Sequence, residues 1–588
     1  MMVKAPAETA ETTVSVRSGI RATMRDGTVL VADLFLPVGP GPFPTVLIRT
    51  AYGRHSLTHT EPGWSLDPLA AARAGYAVVV QDGRGTADSD GHFVEFMDEA
   101  NDGEDTIAWV AAQPWSDGSV GMVGVSYLGI TQLLAASKAP LALKAVVPGI
   151  TASEAYDGWT YQGGAFNLGL ALSWGVGRAL ARLDRLEQRG QNTERERRRV
   201  MAIFEDPDRA FGTLPLDALP VGIPSMSTYA DWLAHPSRDD YWARGSVNDR
   251  YEDVDVPALH IGGLYDCFLK GTLENYVGLR SRAATEFARE NQRLVLVPWG
   301  HVTAPMTRVG DLWLGPQASA EAAAVPEQTM NWMDQFVRRA AAEERARVTV
   351  FVLGDNKWRT SSDWPLPEAV PMRWYLNEGG HLSQESPGRE ALTEFTYDPR
   401  DPVPSLGGSS RISLGGRELE MGPRDRSQLQ QRPDVIVFTS RVLEDDLEAV
   451  GPVSLSLWVT SSAPDTDFTA TLVDVFPDGR AIGISDGILR MRYRNTFAQP
   501  ELMTPGVHYQ IEIDLVAVAN VFKAGHRLQI EISSSNFPRF DRNPNSGGQI
   551  ASATMEDLRV AQQKVYHGAA KRSFLTLPRV LDQRLARP

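Results

Sequence analysis

The hexapeptide Gly124-Val125-Ser126-Tyr127-Leu128-Gly129 joins two segments of opposite habit, and no other stretch constrains the fold as tightly. Before it, Val120-Gly121-Met122-Val123 is a short apolar run suited to a buried strand. After it, Ile130-Thr131-Gln132-Leu133-Leu134-Ala135-Ala136 has the composition of a helix. A strand that becomes a helix across so few residues must turn sharply. A serine at that turn has its Oγ pushed clear of the backbone, at the positive end of the helix. Glycine is needed on either side because a side chain there would strike the neighbouring strand or helix. The motif departs from the five-residue G-x-S-x-G form, its second glycine falling one position later. Taken alone, a G-x-S match is equally an ordinary turn.

The surrounding pattern gives the turn its context. Ile20–Met24 and Val29–Leu36 flank Asp26-Gly27 as a hairpin. Thr45–Arg49, Tyr76–Val80 and Lys144–Val147 are further strand candidates, and Asp98–Ala112 a helix. The acidic residues Asp98, Glu99, Asp102, Glu104 and Asp105 lack calcium-loop spacing and read as a solvated helix start. From Ser153 to Ser246 strand signals stop. Leu168, Leu172, Val176, Leu180 and Leu183 recur at helical spacing, and a second helix is predicted from Thr193, with Glu196 completing a capping box. Its arginines, Arg195 and 197–199, read as a solvated face. Strands resume at Ala258–Leu264, Leu294–Val297 and Val348–Leu353, with a helical stretch over Ala318–Arg339. A proline-rich junction, Trp364-Pro365-Leu366-Pro367 to Pro371, then marks a boundary. Beyond it the period becomes two: Tyr509, Ile511, Ile513 and Leu515 alternate with polar residues, as do Val453, Leu455 and Leu457, and Leu528, Ile530 and Ile532. Pro477-Asp478-Gly479 is a hairpin turn. The reading is an α/β domain in two parts (1–152 and 249–363), a helical insertion (153–248) and a β-sandwich of jelly-roll type (364–588).

With 588 residues there is room for about three domains at roughly 100–200 residues each. A net charge of −15 argues against a nucleic-acid partner. No apolar run approaches the roughly 20 residues of a membrane span. Met1–Thr12 lacks the apolar core of a secretory signal, so a cytoplasmic location is expected. The single cysteine, Cys267, excludes intrachain disulfides and cysteine-built metal sites, and reads as a small buried residue. No metal or cofactor is expected. Whether the chain forms a homodimer is left open.

A serine hydroxyl is a poor nucleophile at neutral pH. It needs a base to take its proton, and that base needs an acid to orient it. Of ten histidines, His301 follows the apolar strand Leu294–Val297 and Pro298-Trp299-Gly300. That puts it at the C-terminal edge of a parallel sheet, where the sites of such folds gather. Asp266 ends the strand at Leu259–Leu264 on the same edge. The order Ser126, Asp266, His301 is that of α/β-hydrolases and of neither common protease arrangement. Individually, Asp266 could only cap a helix and His301 could be a satisfied loop histidine; it is their joint placement on three strand ends that carries the assignment. His260 lies within a strand and reads as packing, while His55 and His59 sit in a loop with no evident partner. An oxyanion needs two donors. The backbone N–H of Tyr127, next after the nucleophile, is one. The loop Thr50-Ala51-Tyr52-Gly53-Arg54 offers the hydroxyl of Tyr52 as the other, unless Tyr52 is only a core or rim aromatic.

Together with Gln81-Asp82-Gly83-Arg84-Gly85, Tyr265-Asp266, Phe268, Pro298-Trp299-Gly300-His301, Asp467-Phe468-Thr469-Ala470 and Ser533-Ser534-Ser535-Asn536-Phe537-Pro538, the serine turn makes the chain resemble the cocaine-esterase family over nearly its full length. That family is related to X-prolyl dipeptidyl aminopeptidases and glutaryl-cephalosporin acylases. The resemblance implies an α/β-hydrolase core, an inserted helical cap and a jelly-roll domain. It implies Ser126 as nucleophile, His301 as base, Asp266 as its orienter, and Tyr52 with Tyr127 as the oxyanion hole of a cofactor-free esterase acting on a small-molecule ester. It also places Trp159, Trp174 and Phe268 around the acyl group, although plain core aromatics would look the same. The chain departs from the family where a Leu-Phe pair is expected: Pro404-Ser405-Leu406-Gly407-Gly408 is followed by Ser409-Ser410-Arg411-Ile412. A cation in that pocket points to a polar or carboxylate-bearing acyl group. An amidase or aminopeptidase of the same fold stays open, with Glu154 and Asp157 as candidates to hold a substrate ammonium. So does, more remotely, an inactive ligand-binding protein.

Overall fold

The computed structural model describes residues 13–56, 63–301, 307–341, 345–419 and 421–581; His59 and Met1–Thr12 lie outside them. Asp26-Gly27 turns the first hairpin, in which β1 (Val14–Thr23) and β2 (Val29–Pro37) run antiparallel with Thr23 opposite Val29. The chain then builds β3 (Phe43–Thr50), β4 (Ala77–Asp82), β5 (Ser116–Val125), β6 (Leu143–Gly149), β7 (Ala258–Tyr265), β8 (Gln292–Gly300), β9 (Val348–Val352) and β10 (Lys357–Ser361). All ten form one sheet in the order β1-β2-β4-β3-β5-β6-β7-β8-β9-β10, parallel from β4 to β9. Every residue of β4, including Gln81 and Asp82, is buried. Such continuous burial follows from helices covering both faces. Among these are α1 (Pro68–Arg73), α2 (Glu99–Ala111) and α3 (Tyr127–Ala136), the last buried throughout.

The acidic start of α2, read from its composition as solvated, is so only in part: Asp98 and Glu104 are part-exposed. Glu99 and Asp102 are buried, Glu99 against Arg49 at 2.7 Å and Asp102 against Arg84 at 2.6 Å. These arginines come from strand and loop segments distant in sequence, so the pairing could not be read from the helix alone.

Between β6 and β7 lies the insertion. Its longest helix, α4 (Leu168–Gln188), buries Leu168, Leu172, Val176 and Leu183. A small antiparallel pair, Tyr161–Gln162 with Ala165–Phe166, interrupts the otherwise helical stretch. The helix α5 (Glu194–Glu205) begins where predicted, but without its capping box. The Thr193 hydroxyl donates to Glu187 instead, and Glu196 accepts the backbone N–H of Ser225 at 2.6 Å. Tertiary partners outbid the local cap.

After the proline-rich junction the chain folds into a β domain with its own core, which includes Leu455, Leu457, Ile511, Ile513, Leu528 and Ile530. Leu447–Ser461 pairs antiparallel with Tyr509–Phe522, and Asp467–Val475 with Ala481–Arg490 across the Pro477-Asp478-Gly479 turn. In Arg527–Ser533 the polar residues Gln529 and Glu531 are buried as well, because Gln430 and Arg426 cover them. This domain reaches the insertion directly. Gly169 N–H donates to Arg539 O at 3.0 Å, and Ser413 N–H to Ser173 Oγ at 3.3 Å. Those contacts carry Arg411 to the mouth of the hydrolase core. Among the described residues no helix is long and apolar enough to cross a membrane.

Candidate active site

Ser126 stands between β5 and α3 with φ 60° and ψ −125°, a conformation costly for any side chain but glycine. The surroundings hold it there. Ser126 N–H donates to Gly149 O at 2.9 Å, and its carbonyl accepts from Thr151 Oγ1 at 2.7 Å. The flanking glycines are required by space. A Cβ on Gly124 would fall 2.5 Å from Leu128 Cβ, and one on Gly129 2.6 Å from Thr151 Cβ. The extra residue before the second glycine therefore serves a close approach to the loop after β6.

His301 follows β8 and Asp266 follows β7, adjacent strands in the sheet. His301 Nε2 lies 2.9 Å from Ser126 Oγ, and His301 Nδ1 lies 2.7 Å from Asp266 Oδ1. All three are buried. Phe268 sets its ring edge-on to His301 at 5.0 Å and stacks on Trp159 at 4.3 Å. Asp266, Cys267 and His301 form the one group of donor atoms close enough to hold a cation among the described residues. Burial pushes the Cys267 thiol up, so it stays protonated, and Asp266 and His301 are bonded to each other.

Tyr127 N–H is the first amide of α3 and has no carbonyl partner within the helix. Its phenol points the other way, into the core, where it donates to Glu99 Oε1 at 3.0 Å. Tyr52 lies in the loop after β3, and its hydroxyl accepts from Trp174 Nε1 at 3.2 Å. Two residues on, Arg54 Nη1 meets Asp82 at 2.6 Å and Arg54 Nε meets Asp33 at 2.9 Å. The Gln81-Asp82-Gly83-Arg84-Gly85 segment thus fixes the loop that carries Tyr52. His55, on the same loop, is exposed and 3.6 Å from Asp33, a partner the sequence did not reveal.

Ser126, His301, Tyr52, Trp159, Trp174, Phe268 and Arg411 all line one cavity of about 430 Å³. Glu154 and Asp157 do not. Glu154 binds Arg238 at 2.6 Å, and Asp157 faces Lys270 at 3.5 Å. His260 packs within β7, with Nε2 2.9 Å from Gln292 Oε1 and its pKa lowered to about 4 by burial. The one charged cavity residue that escaped the sequence reading, among the described residues, is Arg178 of α4. Its signal was its place four residues after Trp174, on the same helix face.

A parallel sheet of this order, a strained serine at its centre and a histidine and an aspartate on neighbouring strand ends define a serine hydrolase of the α/β-hydrolase class. Residues 26–303 match the X-Pro dipeptidyl-peptidase (S15) family, and residues 340–576 match the X-Pro dipeptidyl-peptidase C-terminal non-catalytic domain. The chain is 37% identical to the cocaine esterase of Rhodococcus sp. (strain MB1 Bresler), over 96% of this chain and 98% of that protein. An aminopeptidase from a marine sediment Thaumarchaeota archaeon superposes with a TM-score of 0.84 and 26% identity, covering 99% of each chain. An α-amino acid ester hydrolase superposes at 0.82 with 24% identity over 98% of each, a likeness of fold. The chain belongs to the cocaine-esterase family and is a serine ester hydrolase.

Proposed function

We propose that Ser126 cleaves carboxylic esters through an acyl-enzyme. Ser126 Oγ attacks the ester carbonyl while His301 Nε2 takes its proton, and Asp266 holds the Nδ1–H of the resulting imidazolium. The tetrahedral oxyanion rests against the Tyr52 hydroxyl and Tyr127 N–H. His301 protonates the departing alcohol, then draws a proton from water as the water attacks the acyl group, and returns that proton to Ser126 Oγ as the carboxylic acid leaves. The observation that carries this reading is the line Ser126 Oγ–His301 Nε2–Asp266, at 2.9 and 2.7 Å, opening into a cavity.

The same cavity favours an esterase over an aminopeptidase. A substrate ammonium needs carboxylates, and among the described residues lining the cavity there is no Asp or Glu. Instead Arg411 lines it, which favours a polar or carboxylate-bearing acyl group over a benzoyl-like one. Rapid turnover of phenyl esters, with alanyl-prolyl anilide cleaved slowly or not at all, is the expected result. Preferential cleavage of the anilide would overturn the ester reading. For the acyl group, phenyl glutarate should outrun phenyl benzoate, and Arg411→Ala should narrow that margin.

A further inference from the structure

Arg178 is a half-buried cation without an anion. The fully buried arginines each meet a carboxylate: Arg49 at 2.7 Å, Arg54 at 2.6 Å, Arg490 at 2.8 Å and Arg539 on Asp486 at 2.5 Å. The Arg178 Nε is buried with no hydrogen-bond partner, and its guanidinium makes no ion pair with a described residue. It is held over two rings, those of Phe93 at 5.0 Å and Tyr52 at 5.5 Å. Taking a guanidinium out of water is costly unless a negative group compensates it. Glu95 contributes some field, but it is not within ion-pair distance. Its carboxyl is bound by the Thr228 hydroxyl, and burial pushes it up to about 7, so much of its charge is absent near neutrality.

Arg178 lines the catalytic cavity with Ser126 and His301. The second cation there, Arg411, enters elsewhere. Its neighbour Ile412 packs at Gly169, and Ser413 bonds to Ser173. Ser173 precedes Arg178 by five residues, about 7.5 Å of helix. The two arginines therefore stand along α4 on either side of Trp174, and no described carboxylate lines the space they share.

We propose that Arg178 binds a carboxylate carried by the substrate, anchoring anionic esters so that their carbonyl meets Ser126. A guanidinium recognises a carboxylate through paired hydrogen bonds, and its placement over rings pre-orients the fork. The proposal rests on the serine-esterase reading above. The carboxylate can sit on the acyl part or on the alcohol part of the ester, and the test separates the two.

Two matched pairs of esters are compared by kcat/KM. One pair is 4-nitrophenyl hydrogen glutarate and its methyl ester, which differ in acyl charge. The other is the butanoyl ester of 4-hydroxybenzoate and that of methyl 4-hydroxybenzoate, which differ in alcohol charge. The wild-type protein should prefer the anionic member of one pair by about tenfold or more, the lower end for a hydrogen bond to a charged group. Arg178→Gln should cut that preference severalfold even with Arg411 in place, Arg178→Lys should retain more of it, and the exposed Arg195→Gln should retain all of it. No preference in either pair, or an equal preference in Arg178→Gln and wild type, overturns the proposal. Should Arg178→Gln fail to fold, competitive inhibition by glutarate and by its monoamide is compared in Arg178→Lys and wild type instead. A smaller margin for glutarate in Arg178→Lys supports the anchor, and an equal margin overturns it. Labelling of Ser126 by a neutral fluorophosphonate runs alongside. Labelling without an anionic preference refutes the anchor alone, whereas no labelling refutes the serine-esterase reading itself.

Discussion

Replacing Tyr52 by Phe removes one oxygen from the cavity and isolates its role. The Tyr52 hydroxyl accepts a hydrogen bond from Trp174 Nε1 at 3.2 Å, and that bond leaves the phenolic proton available to an oxyanion. The other donor we propose, Tyr127 N–H, belongs to the backbone of α3 and survives the change. Loss of one of two oxyanion donors typically lowers kcat about 100–1,000-fold, or roughly 2.7–4 kcal/mol of transition-state stabilisation. The structural cost should be smaller. Trp174 is half-buried, so water can take up its N–H, and a lost hydrogen bond of this kind contributes about 1 kcal/mol. The assay is steady-state hydrolysis of 4-nitrophenyl acetate by wild type and Tyr52→Phe, with thermal unfolding as a check on the fold. The expected result is a large fall in kcat, little change in KM and a nearly unaltered unfolding midpoint. A folded variant whose kcat drops by less than about threefold, below 1 kcal/mol, would show that Tyr52 is only a wall of the cavity.

Asp266→Asn should cut kcat by roughly 10³–10⁴-fold, as loss of the carboxylate that orients a catalytic histidine does elsewhere; retention of a tenth of the wild-type rate would contradict its role. Gly129→Ala should lower both stability, by about 1–3 kcal/mol as an overpacked site does, and turnover, because the new methyl displaces Thr151, which holds the Ser126 carbonyl. Unfolding and ester hydrolysis measured on the same preparation test that coupling. His260 refuses a proton down to about pH 4, whereas an unfolded histidine accepts one near 6.5. Acidification across that window therefore favours the unfolded chain by up to about 3 kcal/mol from this residue alone. NMR of ring-labelled histidine should show the His260 imidazole still neutral at pH 5, and His260→Gln should unfold less steeply with acid.

How much of this was legible in the sequence depends on the range of the interaction. The apolar runs of β5, β7 and β8 gave strands whose ends present Ser126, Asp266 and His301, because burial on both sheet faces leaves a local signature. Alternation over Tyr509–Leu515 revealed the part of a strand that has one buried face, whereas 517–522 of the same strand are buried on both. The capping box at Thr193 failed because Glu187 and Ser225 offered better partners across the insertion. The acids of α2 looked solvated because Arg49 and Arg84, which bury them, come from other elements. Arg178 was silent for a further reason. Its significance lies in lacking a partner, and only the assembled cavity shows that.

The most direct measurement is the mass of the protein itself. Quenched in acid during turnover of a 4-nitrophenyl ester, the wild-type chain should carry one added acyl group, and peptide analysis should place it on Ser126. Ser126→Ala should gain no mass. An acyl group found on another residue, or ester turnover at wild-type rate in Ser126→Ala, would contradict the mechanism.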